Sequence, residues 1–259
     1  MPPLDLYRRY VNQRRALAPR GFSLESPPGR IRLTPLRPDL DGMVMFTALS
    51  ADEIETAITD EITYFALLQR GFEWKVYDFD TPTDLAARLA RHGFVRDDPE
   101  AFMVYPTASH ASKPPRPSVR IERLTSARDI AAVVAVQERI WQRPLPWLAR
   151  SLIESLDHTS LYGAFDHDEL VGTGWIEFPP ATEFAELHGG GILAEQRGRG
   201  VYSALFDVRA EEAQRRGYAF LAVDAAPMSR PILVRRGFQF VCATTPWHHP
   251  APDPTSTEK

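Results

Sequence analysis

Cysteine is almost missing from this sequence. Of 259 residues only Cys242 carries a thiol, which leaves no partner for an internal disulfide and fits a reducing compartment. Long apolar runs are missing too: none approaches the roughly 20 residues a helix needs to cross a bilayer. The opening MPPLDLYRRY lacks the apolar stretch of a signal peptide. Charge of one sign is not in large excess. With 30 Lys and Arg against 34 Asp and Glu, the formal net charge is -4, so nucleic acid is not the default partner. The 7 histidines show no ligand spacing, and His248-His249 reads as a surface pair rather than a metal site. The expected setting is cytoplasmic, with no membrane, no nucleic acid and no metal. The oligomeric state is not legible, and a homodimer is left open.

What is present is ordinary for a globular chain: 44% hydrophobic and 25% charged residues. The length suits one large domain or two modest ones. Proline, with 23 copies, is concentrated in connecting stretches. PTASHASKPPRPS (106–118) is the best linker, rich in Pro and Ser between two patterned regions. The expected division is 1–110, a linker at 111–118, a second domain at 119–249, and a disordered tail at 250–259.

In the second half, SVRIERLTS alternates like a strand, and ARDIAAVVAVQERIWQ and PWLARSLIESL have helical spacing. LYGAFDH and ELVGTGWIEF read as a hairpin turning at Asp166–Glu169. EFAELHGGGILAE is a strand broken by three glycines. VYSALFDVRAEEAQRRG is a helix with an apolar stripe at Val201, Ala204, Leu205 and Val208, capped by Gly217. Strand YAFLAVDA, short helix SRPILVRRG and strand FQFVCATTP follow. The first half ends in the same order: strand MVMFTALS, a helix over ADEIETAITDEITYFALLQRG ending at Gly71, strand FEWKVYDFD, short helix DLAARLARHG and strand AFMVYP. Both short helices close on a basic residue and Gly-Phe, at 93–94 and 237–238. This reads either as an internal repeat or as punctuation common to α/β proteins.

The stretch EQRGRGVYSALFDVRAEEAQRRG (195–217) calls for a reason other than stability, because Arg-Gly-Arg-Gly is a poor start for a helix. Backbone N–H groups at a helix start lack intrahelical partners, and the helix dipole adds positive potential there. Glycines remove the Cβ atoms that keep a ligand away, so a strand, this turn and a helix make an anion cradle fit for a pyrophosphate. Arg197 and Arg199 add charge at its rim. The alternative is a plain connection with surface arginines. There is no Gly-Lys-Ser/Thr, and Ser203 stands where a dinucleotide loop has its third glycine.

Residues 192–205, ILAEQRGRGVYSAL, resemble the acetyl-coenzyme A loop of the GCN5-related N-acetyltransferases, with signature Gln/Arg-x-x-Gly-x-Gly/Ala. Arg197, Gly200 and upstream Ile192 match, and Tyr202 departs at the last position. The order downstream, ending in Gly-Phe, is similar as well. The resemblance covers about 119–249 and implies a mixed, mostly antiparallel α/β (α+β) sheet flanked by helices. The whole chain looks like a tandem member of the family, with a degenerate first copy lacking the loop. It implies acetyl-CoA as co-substrate and an amine, expected on a small molecule, as acceptor. It implies cofactor contacts from Ile192, Leu193, Arg197, Gly198, Arg199, Gly200, Val201, Tyr202 and Ser229, with Tyr202 near the phosphates. Leu233 stands where the family has its tyrosine acid, and Ser229 is nearer in the pattern.

Direct attack by an amine needs a base for its proton and a donor for the oxyanion. Counting back from Ile192, Glu186, His188 and Gly190 share one face at period two. Glu186 and His188 are the candidate bases, with Glu177 and Glu183 in reserve. The donor is expected from the main chain near Ile192 or Leu193. Glycines 189–191 either widen a gap between strands for the pantetheine or form a bulge. Trp141 and Trp147 line the acceptor pocket or pack in the core. Two other readings stand beside the enzyme: a non-catalytic acyl-CoA-binding or sensing module, and an interaction protein that retains the fold without ligand.

Overall fold

The computed structural model describes residues 1–111 and 119–252. The expected linker beyond Ala111 and the expected tail from Asp253 onward lie outside the described residues. Backbone packing divides the chain into two compact units, one of Met1–Met103 with the chain from Asp224 onward, the other of Val104–Val223.

The first unit opens with α1 (Pro3–Arg14), which the sequence pattern did not single out. Strands β1 (Phe22–Glu25), β2 (Ile31–Pro35) and β3 (Gly42–Met45) form an antiparallel meander. Helix α2 (Ile54–Leu67) then returns the chain to β4 (Phe72–Tyr77), parallel to β3. Helix α3 (Leu85–Arg91), β5 (Val95–Arg96) and β6 (Glu100–Pro106) follow. The expected helix end at Gly71 is not where the chain turns. Helix α2 stops at Leu67, and Gln69 takes the left-handed conformation at φ 54°.

The second unit repeats this plan. Strand β7 (Arg120–Leu124) leads to α4 (Ala127–Trp141) and α5 (Leu148–Ser155). A capping box starts α4: Ser126 accepts from the Asp129 N–H, and Asp129 accepts from that of Ser126. Strands β8 (Thr159–Asp166), β9 (Glu169–Glu177) and β10 (Phe184–Ile192) form a second antiparallel meander. Helix α6 (Val201–Arg215) then leads to β11 (Phe220–Ala225), parallel to β10. Meander, helix, parallel strand: the repeat read in the sequence is present in the pairing of both units.

Gly217 takes φ 82° after α6, with the Tyr218 N–H on the Ala213 carbonyl and that of Gly217 on Gln214, a complete Schellman end. The chain closes with α7 (Arg230–Arg235) and β12 (Gln239–His249). The expectation assigned everything to 249 to the second half. Packing gives β12 to the first unit, where it pairs antiparallel with β4 from Thr244–Tyr77 to His249–Phe72. Trp247 enters the core of that unit beside Phe65, Phe72, Trp74 and Phe94. Burial of so large an aromatic surface outweighs adjacency in sequence.

Candidate functional site

The three glycines of β10 build the site. Pairing with β9 runs in register from Glu186–Glu177 to His188–Trp175, then shifts before resuming at Gly191–Thr173. Gly189 carries the bulge at φ 56°, and a Cβ there would lie 1.7 Å from the Trp175 ring. Only glycine permits both the left-handed backbone and the indole lying over it.

The bulge corrects the period-two count. A Cβ on Gly190 would point at Tyr202 and Arg209 of α6, and Ile192 packs with Val201 and Leu205 of the same helix. His188 instead stacks on Trp175, which packs with the α4 and α5 side of the sheet. Glu186 and His188 therefore share a face opposite to that of Gly190 and Ile192, because the extra residue inverts the alternation. Glu186 is buried, and its side chain lies 3.8 Å from His188, which is 42% exposed. Glu177 stands directly opposite Glu186 across the ladder. Ligand atoms of Glu177, Glu186 and His188 lie within 4.8 Å of one another, a spacing that can also hold a cation.

Beyond Glu186 the strand loses its second neighbour. Pairing of β10 with β11 covers only Phe184–Phe220, Ala185–Leu221 and Glu186–Ala222, while β10 runs on to Ile192. The Leu193 N–H donates to the Val171 carbonyl. Antiparallel ladders alternate, so the N–H of Ile192, opposite Gly172, points away from β9 toward the edge that β11 leaves.

After Ile192 a short 3-10 turn at Ala194–Gln196 leads into the glycine loop. Gly198 takes φ 77°, and Gly200, the N-cap of α6, takes φ 84°. No side chain caps the helix, and no acidic residue sits in its first turn. Arg197 is exposed and donates to the Ile192 carbonyl. Arg199 is committed elsewhere, 2.6 Å from Asp166 and bonded to Gln196. Its hydrogen bond holds the Asp166 carboxyl below the usual range. Of the two rim arginines, Arg197 is thus the one without a carboxylate at this distance among the described residues. The Tyr202 ring, at the departing position, lies back over Gly190. Ser229 precedes α7 in the other packing unit, and Leu233 there is fully buried.

Two residues of the site, Gln137 and Arg209, were not found in the sequence. Gln137 is 2% exposed on α4 and donates to the Thr173 hydroxyl and the Gly189 carbonyl. Trp141 and Trp147 are both exposed rather than core, and the Trp141 indole N–H donates to Gln137. Arg209, 1% exposed, lies against Gly174 on the α6 side. A signal existed for Gln137: Ile130, Val133 and Gln137 share one helical stripe, and a polar residue there must bond to something.

Residues 128–238 match the family model described as the acetyltransferase (GNAT) family. That match spans less than half of the chain, and the whole chain shares the fold of GCN5-related N-acetyltransferases, a tandem one among them. A GCN5-related N-acetyltransferase from Kribbella flavida superposes with TM-score 0.71 at 13% identity, over 97% of this chain and 96% of that one. A tandem GNAT protein from the clavulanic acid biosynthesis pathway gives TM-score 0.63 at 13% identity, over 92% and 86%. A GCN5-related N-acetyltransferase from Sphaerobacter thermophilus gives TM-score 0.62 at 15% identity, over 87% and 78%. No curated protein matches the sequence.

Proposed function

We propose that the protein is an acetyl-CoA-dependent N-acetyltransferase that acts on the amine of a small molecule through its second half. The carrying observation is the edge of β10 left open beyond Glu186, running into a helix start whose cap, Gly200, is left-handed and bare. The pantetheine arm would pair with that edge as an added strand does. The pyrophosphate would sit on the first N–H groups of α6, between Gly198 and Gly200, with Arg197 at the rim. The amine nitrogen attacks the thioester carbonyl, the C–S bond breaks, and CoA leaves as thiolate. The Ile192 N–H points to where the oxyanion forms. Glu186 takes the amine proton, and half-exposed His188 hands it to solvent. The thiolate of CoA is a tolerable leaving group, so the step does not require the tyrosine whose place in the family's sequence pattern Leu233 fills.

The first half is read as the degenerate copy. At the equivalent helix start, Glu53 accepts from the N–H and hydroxyl of Ser50 at 2.9 and 2.7 Å. These bonds hold its carboxyl below the usual range, so a negative charge occupies the place where a phosphate would bind.

Titration with acetyl-CoA by calorimetry, and thiol release over a panel of amines, polyamines, amino acids and antibiotics, test the reading. Binding at one site per chain and amine-dependent thiol release, both unaffected by a chelator, are expected. Binding without release by any amine would favour a sensing module, and absence of binding would reject both.

A further inference from the structure

We propose that Gln137 is a positioning residue for acetyl transfer: from helix α4 it clamps the β10 bulge and so holds the Ile192 N–H where the oxyanion forms. This rests on the acetyl-transfer reading above. The orientation of the amide is fixed by its neighbours. An indole N–H only donates and a peptide carbonyl only accepts. Gln137 must therefore turn Oε1 to Trp141, 3.0 Å away, and Nε2 to the Gly189 carbonyl, 2.8 Å away. The second Nε2 proton goes to the Thr173 hydroxyl at 2.6 Å. Thr173 is the β9 partner of Gly191, where the ladder resumes after the bulge. One side chain thus ties both ends of the irregular stretch, the peptide at Gly189 and the first pair beyond it. Ile192 is the next residue.

Bulged glycines have wide conformational freedom, and this stretch has no β11 pairing to restrain its other edge. The clamp supplies that restraint from α4, on the face of the sheet toward which a Cβ at Gly191 would point. The hydrogen bonds of Gln137 to Thr173, Gly189 and Trp141 include neither the cofactor cradle at 198–200 nor the carboxylate of Glu186. Its loss is therefore expected in the reaction step rather than in holding the pyrophosphate.

The test uses the full chain with Gln137→Glu, nearly isosteric but presenting a carboxylate to the Gly189 carbonyl, and Gln137→Met, which lacks the donor. Steady-state kinetics and calorimetry with acetyl-CoA and with CoA are compared with wild type. Removing an oxyanion donor outright costs about 10²–10³ in turnover, so misplacing one should cost roughly tenfold or more. CoA, which has no acetyl carbonyl, should bind within about threefold of wild type, while the preference for acetyl-CoA over CoA shrinks. Turnover close to wild type in either folded variant overturns the proposal. So does an equal loss of CoA and acetyl-CoA affinity, which marks a merely structural role. Should both variants fail to fold, hydrogen exchange on wild type decides: acetyl-CoA must protect the Ile192 amide more than CoA does, and equal protection overturns the proposal. Wild-type protein that does not bind acetyl-CoA defeats the acetyl-transfer reading itself. An active wild type with unaffected Gln137 variants defeats only the clamp.

Discussion

Adding one methyl group at Gly189 tests the geometry on which the site depends. The residue has φ 56°, and an alanine Cβ would lie 1.7, 2.2 and 2.3 Å from three carbons of the Trp175 ring. Two costs follow. The left-handed backbone costs an L-residue about 1–2 kcal/mol. Displacing the indole from a packed position costs a further 1–3 kcal/mol or so, the range for overpacking. Gly198 supplies the comparison. It is also left-handed, at φ 77°, yet a Cβ there meets nothing within 4 Å, so Gly198→Ala should cost only the backbone part, about 1–2 kcal/mol. Urea denaturation of the two variants should separate them by roughly the steric part. In a double-mutant cycle, Trp175→Ala should recover that part, leaving a coupling of about 1–3 kcal/mol. Equal costs at the two glycines, or no coupling to Trp175, would refute the bulge as described. A shifted bulge also moves Ile192, so turnover of Gly189→Ala should fall even where the protein is folded.

Four further outcomes are expected. Gly200→Val, at φ 84°, should abolish acetyl-CoA binding in a folded protein; calorimetry that still saturates, or saturates at two ligands per chain, would reject the single anion cradle. Glu186→Gln and His188→Gln should keep cofactor affinity, and at least one should lose roughly 10²–10⁴ in rate, read by thiol release. Burial pushes the Asp80 carboxyl up to about 7 from 3.8 against its hydrogen bonds from Tyr77 and Tyr7. The native state thus holds this proton more tightly than the unfolded chain. The contribution is most favourable below pH 4, falls as pH rises to about 7 and is level above, a change of roughly 4 kcal/mol that Asp80→Asn should lack in denaturation at pH 4 and 8. Trp247→Ala should destabilise the unit holding Phe72 and Trp74 by about 3–5 kcal/mol, and denaturation showing a loss below about 1 kcal/mol would deny β12 its place in that core.

The site was legible in the sequence as far as local rules reach. Gly198 and Gly200 announced a bare helix start because a left-handed cap is a property of one residue and its neighbours. Glu186 and His188 were found on a common face because alternation holds over three residues. The count failed at Gly190, since a bulge is set by what packs against the strand, here the Trp175 ring, and nothing at Gly189 itself says so. The apolar stripe expected on α6 failed likewise. Ala204 and Val208 are only partly buried, while Arg209 and Glu212 are buried, because Gly174 leaves room for the guanidinium and Ser160 and Tyr162 donate to the carboxylate.

The sequence by itself determined the order of elements in the second half and in the closing part of the first, and the glycine loop kept in only one. Each rests on contacts within a few residues: periodicity, capping and backbone freedom. Tertiary structure alone decided that β12 pairs with β4, that Gln137 reaches the Gly189 carbonyl, and that β10 parts from β11 after Glu186. Those outcomes depend on which surfaces gain most by being buried together, a comparison among residues as far apart as Phe72 and Trp247 that no local pattern carries.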